Sequence, residues 1–492
     1  MKYKRNVSKF HNRLVAVALL IMVRLTAAYG QESTEAADEL QAQSIGLQEF
    51  LNQLKEKHPL FEKEKLTSEI FQTEQRSLAG AQDWNFTSSI GYFSEEPVIS
   101  FASPTKTSGG SLSGGLEKTF WGTGARLSTT ITTTSLKFAL PMGFDAIPTD
   151  NYQSEIALTY IHPLMKNRKG FLDRLQYNLK QFDIDASEIN ALENEENFLT
   201  ESATKFLNWI FLVEQRNIIE ERLSLSRTEL ERTERKRKAN LVEQVDLIRA
   251  GDAVRISEQN LFLSELRLNG LKAELAILTQ QNNYDNISPQ YELYKTETLP
   301  PLEEVKATIE SDSRIVRLLS IRIKQLMLAR RGFKETAKPN LGLVAQISKK
   351  ELDEGLGGSF GLEKTDALVA LQFSVPLGNN RAKSNINRTD VQISQLRSQV
   401  KEAVIGLTSI VSNLHTQMTE MEKVLQLNVE QINSSKEKTK EELKLYNQGR
   451  GDLTFVIQSR DNEQNAKLLY AVNAFTYHTL FIQYRSLTDQ LL

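Results

Sequence analysis

The chain has 492 residues, room for two or three ordinary domains or one elongated architecture, and its formal net charge is −2 with 25% charged residues. That balance offers no field to recruit nucleic acid or an acidic surface. With no cysteine and five scattered histidines (His11, His58, His162, His415 and His478), the sequence excludes disulfides, thiolate metal sites and a lipid-anchored N-terminal Cys.

Lys2, Lys4, Arg5, Lys9 and Arg13 surround the start of an apolar run, LVAVALLIMV (14–23), and small residues follow at Ala28-Tyr29-Gly30. This pattern predicts an export signal over 1–30, cleaved before Gln31; an uncleaved signal anchor is the alternative, although the run is short for a spanning helix. No later stretch approaches eighteen consecutive apolar residues, so a second membrane would have to be crossed by strands.

A helix is expected over about 44–81. WNFTSSIGYF (84–93) then alternates, with Trp84, Phe86, Ile90 and Tyr92 on one face and Asn85, Thr87, Ser89 and Gly91 on the other. GGSLSGG (109–115) reads as a hairpin loop. FWGTGARLSTTITTTSLKF (120–138), with its GTG turn at 122–124, reads as an added hairpin that joins the sheet or folds as a surface loop. YQSEIALTYI (152–161) alternates again and runs into PLMKNR (163–168).

From Pro163 to Pro289 there is no proline, and this tract reads as a helix from about Lys169 to Lys238, a break at ANLVEQ, and a helix to about Gln281. Leu192, Leu199, Phe206 and Val213 recur every seven residues within it. The second half repeats this order: a helix over about 302–337, strands NLGLVAQIS (340–348) and ALVALQFSV (367–375), and a loop GLGGSFG (355–361) between them. PLGNNR (376–381) follows, then a helix from about Arg381 to Tyr446, a break at NQGRGD, and a helix to the C-terminus. Val404, Leu407, Val411, Leu414, Met418, Met421 and Leu425 form a 3-4 seam for side-by-side helix packing.

Two coincidences confirm a duplication: P-L-x-x-N-R at 163–168 and 376–381, and GLEKT at 115–119 and 361–365. The repeats are expected over 31–285 and 286–492. The alternating segments suit tilted membrane strands or the edge of a soluble β-sandwich.

Three patterns carry a resemblance to the TolC family of outer-membrane efflux proteins: VPLGNNRAKSNI (375–386), NLVEQVDLIRA (240–250) and YNQGRGDLTFVIQSR (446–460). The resemblance implies a β-barrel in the outer membrane, with four or more strands per chain, continuous with a long α-helical periplasmic barrel and closed in a homotrimer; two strand pairs per chain would make twelve strands. Pro163, Arg168, Pro376 and Arg381 mark the barrel-to-helix junctions. The implied partners are outer-membrane lipid, a periplasmic adaptor (membrane fusion) protein and an inner-membrane pump of the RND or ABC type. The implied activity is a passive exit duct for efflux or type I secretion, with no catalysis, no cofactor and no nucleic acid.

The resemblance places the periplasmic mouth at Asn240, Leu241, Glu243, Asp246, Tyr446, Gly449, Arg450, Gly451, Asp452, Phe455 and Gln458. Asn240 and Glu243 look like a capping pair, and Gly449 and Gly451 suit a tight turn. The basic run 235–238 serves as an interaction patch or as complement to a helix C-terminus. In the family a Tyr and an Arg of the second tip latch an Asp of the first. Asp246 and Tyr446 match, but Gly451 occupies the Arg position beside Arg450, and Phe455 and Gln458 stand where the family rings its mouth with aspartates. Asp246 has a second reading, as an acid favoured by the helix dipole. A structural periplasmic coiled coil or adhesin-like protein without a lumen is the alternative function. The cargo is not legible.

Overall fold

A computed structural model describes residues 43–96, 104–139 and 149–491. The expected export signal lies outside them. In chain order the elements are β1 (Gln43–Gly46), α1 (Leu47–Lys57), α2 (Pro59–Leu78), β2 (Asn85–Glu95), β3 (Lys106–Phe120), β4 (Ala125–Ala139) and β5 (Asp150–Pro163). Next come α3 (Leu175–Lys238), α4 (Gln244–Leu278), β6 (Ile287–Gln290), α5 (Leu302–Asp312), α6 (Arg314–Thr336) and β7 (Asn340–Asp353). A single-turn α7 (Leu356–Ser359), β8 (Lys364–Ser374), α8 (Asn380–Asn447) and α9 (Leu453–Leu487) complete the chain.

The long helices fall where proline is missing. α3 has 64 residues and α8 has 68, and α4 and α9 have 35 each. In the α8 seam Leu407, Val411, Leu414, Met418 and Leu425 are buried. In α3 the seven-residue series drifts: Leu199 and Phe206 are buried while Leu192 is exposed, as expected when a straight helix turns about 20° per heptad. All four long helices end alike. Asn240, Gln280, Gly449 and Asp489 adopt left-handed φ values of 55°, 55°, 73° and 57°. The next residue's N–H then returns to a carbonyl five positions back, as in Leu241 to Lys236 and Arg450 to Leu445, the Schellman closure.

Two compact units divide the chain, and each draws on both sequence repeats. One comprises 43–58, Ser202–Lys295 and Val424–Thr476. Its small sheet pairs β1 with β6 in parallel, and a core of aromatic rings (Phe50 on Phe206, Trp209 on Tyr284) fills the space beside it.

The other unit, Pro59–Glu201, Thr296–Lys423 and Tyr477 onward, holds a six-stranded antiparallel sheet in the order β2-β3-β4-β5-β7-β8. Register carries one set of side chains onto one face: Phe86 lies opposite Leu116, Ile90 opposite Leu112, Gly114 opposite Ile131, Ile131 opposite Ile156, and Leu343 opposite Leu371. This face is open to the surroundings, with Ile90 86% and Val369 75% exposed. The opposite face carries Ser89, Ser113, Thr130, Thr132, Thr159, Gln346 and Gln372. Ser89 and Ser113 share a hydrogen bond at 2.8 Å, and two ion pairs lie on this face, Arg126 with Glu117 at 3.0 Å and Lys350 with Asp366 at 2.5 Å. Trp84, Phe120 and Tyr160 lie toward one end of the strands, Tyr92 and Tyr152 toward the other. Aromatic residues at both ends of an apolar band are the pattern of membrane barrels.

Several expectations are corrected. GGSLSGG is not a loop but the middle of β3: a Cβ at Gly109 would lie 1.7 Å from the Ser135 carbonyl oxygen, so only glycine lets these backbones meet. The added hairpin joins the sheet as β3 and β4, turning through Trp121–Gly124. Among the described residues the chain therefore supplies six strands to this sheet, within the expected four or more and beyond the two pairs the resemblance implied. The helix expected over 44–81 is divided at His58, because Pro59 disfavours helical geometry in the residue before it. The helix expected over 302–337 is divided where Ser313 caps α6 by accepting from Val316 N. α3 begins six residues later than expected because Asn167, Lys169 and Gly170 are all left-handed.

Candidate tip and gate

Both tip turns belong to the first unit, and each forms because a long helix closes with a left-handed residue before the next can start. After Asn240, α4 begins with Glu243 as its N-cap: Asp246 Oδ2 accepts from Glu243 N at 3.3 Å. The capping partners are thus Glu243 and Asp246 rather than Asn240 and Glu243, since Asn240 is committed to closing α3. After α8, Gly449 has positive φ in open space, whereas Gly451 is required for closeness, its Cβ position being 2.9 Å from Tyr446 N. Asp452 then takes up Thr454 N at 2.7 Å and starts α9.

Between the turns, Tyr446, Leu453, Val456 and Ala250 form a small apolar core with Leu230, Leu443 and Ile457 against it. Lys236 lies over the Tyr446 ring, 3.4 Å from its centroid, and donates to the Tyr446 carbonyl at 3.3 Å. Arg237 donates to Val242 O. Two members of the basic run therefore tie the turns rather than face solvent as a patch. Burial, helped by nearby Arg232, holds the Lys236 ammonium below its usual pKa.

The Tyr446 hydroxyl is buried with no hydrogen-bond partner among the described residues. Burial raises its pKa. The nearby Thr233 hydroxyl, which donates to the Glu229 carbonyl at 2.8 Å, opposes this, and Asp246 and Asp452 add to the rise. The carried-over Tyr446–Asp246 bond is consequently not made within the chain. Asp246 instead meets Arg249 at 3.2 Å, and Arg249 also lies 4.0 Å from Asp452. Arg249 is the residue that sequence reasoning missed. It stands three positions after Asp246 and so shares its helix face, and it links the first tip to the second. Bonding to Thr454, then Arg249, holds the Asp452 carboxyl below the usual carboxylate range. Asn240, Leu241, Glu243, Asp246, Tyr446, Gly449, Gly451 and Asp452 line one groove of about 520 Å³. Arg450 contributes its backbone to the turn. Phe455 and Gln458 lie on α9 and are exposed, Phe455 by 54%.

Behind the tip a charged network is buried. Arg222, 4% exposed, donates to Asp461 at 2.8 and 3.0 Å and to Ser226 at 2.6 Å, and lies 3.7 Å from Glu229. Arg460 reaches the same Glu229 at 3.3 Å. Burial raises the Glu229 pKa against the pull of both arginines.

In the second unit the junction residues sit where strands hand over to helices. Pro163 closes β5, Arg168 opens a 3-10 turn (Arg168–Gly170), Pro376 follows β8, and Arg381 lies in the first turn of α8. Asn167 and Asn379 are left-handed at 61° and 50°. Asn167 accepts from Leu172 N, and Asn379 donates to Ala337 O. This unit also brings Glu193, Glu196 and Asp489 together. Arg314 is paired with Glu196, lies 3.6 Å from Asp489 and 4.0 Å from Glu193, so a guanidinium occupies the place a cation would take.

No family model and no curated protein matches the chain. Solved structures do. The chain is similar to CusC, described as forming a transmembrane channel, at TM-score 0.66 and 10% identity, over 90% of this chain and 91% of that one. It is similar to the outer membrane protein VceC of Vibrio cholerae (TM-score 0.63, 11% identity, 90% and 95% covered). It is also similar to the open state of the MtrE outer membrane channel of Neisseria gonorrhoeae (TM-score 0.60, 14% identity, 90% and 89% covered). The chain has the fold of the TolC-like outer-membrane channels that its sequence resembles.

Proposed function

We propose that this protein is a passive exit duct in the outer membrane. Three copies close its strands into a barrel and its long helices into a periplasmic tunnel. A periplasmic adaptor joins the tips to an inner-membrane pump, in tripartite efflux or type I secretion, and the duct itself performs no catalysis. One observation carries the reading: a six-stranded sheet with Phe86, Ile90, Leu112, Ile131, Ile156 and Leu371 on one face and mainly hydroxyls, amides and glycines on the other, in a chain whose described helices are all too short or too polar to cross a membrane. Such a sheet is stable in lipid only when closed. Exposed Ile248, Ile256, Phe262, Leu266 and Ile277 along α4 support burial against further copies. A structural coiled coil would have no use for the sheet.

The groove at the tips is the proposed mouth, and the Asp246–Arg249–Asp452 link its proposed latch. Retention of a panel of fluorescent dyes and toxic solutes should rise in a strain lacking the gene and fall on complementation. Complementation with Arg249→Ala should leave the strain leaky to large antibiotics. Unchanged retention and unchanged protein secretion in the deletion strain would overturn the reading.

A further inference from the structure

Where strands hand over to helices, the second unit gathers cations. Segments 164–174, 330–338 and 376–388 hold eleven Lys and Arg against two carboxylates, Asp173 and Glu335, in a chain whose net charge is −2. Packing brings the three segments together: Arg331 lies over the Phe171 ring at 5.2 Å, and Asn379 donates to the Ala337 carbonyl at 2.8 Å. Arg330 is taken by Asp390 and Lys338 by Glu335. Arg168, Lys169, Arg331, Lys334, Arg381 and Lys383 are exposed and meet no carboxylate among the described residues. At the opposite end of the sheet Lys106, Lys137, Lys350 and Lys364 each meet one. Crowding unpaired like charges costs stability, so a belt of them calls for an anionic partner. Apolar side chains stand among these cations. Each P-L-x-x-N-R frame sets an exposed leucine four residues before an exposed arginine, Leu164 before Arg168 and Leu377 before Arg381, and Leu377 is 95% exposed. Both leucines lie at the end of the strands that carries Trp84, Phe120 and Tyr160. An aromatic girdle, then apolar tips, then unpaired cations is the order in which a protein surface meets acyl chains and lipid phosphates.

We propose that this belt binds the phosphate-bearing headgroups of the leaflet at the helical end of the sheet, with Leu164 and Leu377 among the acyl chains and the six unpaired cations on the phosphates. The membrane placement rests on the duct reading above; the charge pattern is the chain's own. Guanidinium forks grip phosphate oxygens two at a time, so Arg168 and Arg381 fix the depth at which the strands stop and the helices begin. The duplicated frame thereby acquires a cause: it marks, once in each repeat, the place where the last strand leaves the bilayer.

The test uses the full-length protein in neutral detergent and a fluorescent phosphatidylglycerol, with binding followed by fluorescence polarisation. The unmodified protein should bind the lipid, and more weakly as salt rises; salt-independent binding overturns the proposal without any variant. Each cation at an anionic surface contributes about fivefold, so Arg381→Gln/Lys383→Gln should weaken binding about 25-fold. Arg397→Gln/Lys401→Gln, about 25 Å farther along α8, should leave it unchanged, and equal losses in the two double variants refute the assignment. Leu377→Ser should weaken binding as well. Glycerol phosphate, a headgroup without chains, should not displace the lipid; displacement marks a site for free anions and overturns the lipid reading. Planar bilayers separate the remaining outcomes. A change of ion selectivity in Arg381→Gln/Lys383→Gln, with lipid binding intact, puts these cations in the lumen and refutes the belt. Failure of the unmodified protein to form channels removes the duct reading instead, whereas channels without lipid binding leave the duct and remove the belt.

Discussion

Substituting Arg222→Met tests the buried network behind the tip. The guanidinium is 4% exposed and holds Asp461, Ser226 and Glu229 at once. Methionine preserves much of the volume but leaves Glu229, 5% exposed, with Arg460 alone. Breaking a buried ion pair by removing one partner costs about 3–5 kcal/mol. Here the loss should be smaller, about 2–3 kcal/mol, since Arg460 remains and the Asp461 carboxylate is half open to water. Where local opening governs exchange, amide hydrogens around 222–229 and 457–463 should then exchange about 30- to 150-fold faster.

The sign of the pH effect follows from Glu229. Its folded pKa lies above the ordinary value because of burial, so protonation favours the folded state, and that benefit is lost as pH rises through the folded pKa. Losing Arg222 raises this pKa further. The penalty should therefore be larger at pH 8 than at pH 5, and Arg222→Met/Glu229→Gln should recover most of it, because an amide carries no charge to bury. Equal losses at both pH values, with no recovery in the double variant, would refute the reasoning.

At Gly109, valine would drive a side chain into the Ser135 carbonyl; Gly109→Val should cost about 3 kcal/mol or more and abolish the heat-resistant oligomer band on semi-native gels. Gly449→Ala meets no atom within 4 Å but must hold φ 73°, so it should lower stability at the tip by about 1–2 kcal/mol, read by urea midpoint, while Asn240→Gly at the equivalent turn should be neutral or slightly stabilising. Lys236→Met removes the cation from the Tyr446 face, a loss of about 1–2 kcal/mol, and should raise the open fraction of single channels in planar bilayers; an unchanged open fraction would separate the Lys236 contact from gating.

The long helices were legible because their signals are local. Missing prolines and a 3-4 seam place α8 within a residue of its observed ends, and the turns at 240 and 449 occupy equivalent places in the two halves and close with the same backbone geometry. β3 was misread for the opposite reason. Its Gly-Ser composition has weak strand propensity, and the cause of that composition, the approach of Ser135, becomes visible only once β4 is in place. At the tip, Asp246 and Tyr446 could be found by motif, but the contact of Lys236 with Tyr446 spans 210 residues and has no periodic signature. Arg249, three positions after Asp246, is within reach of a spacing argument, whereas the family pattern points to position 451.

The alternation that hides these strands from a hydropathy scan also bears on how the chain is made. Hydroxyls, glycines, amides and charges recur along the strands, so no strand presents an apolar stretch long enough to lodge in a bilayer as a helix. A polypeptide of this kind can be threaded whole across one membrane and acquire an oily surface only when neighbouring strands are side by side. On the proposed duct reading, the property that fits it for lipid does not exist until folding creates it, and that delay would let one chain pass through the first bilayer and stay in the second.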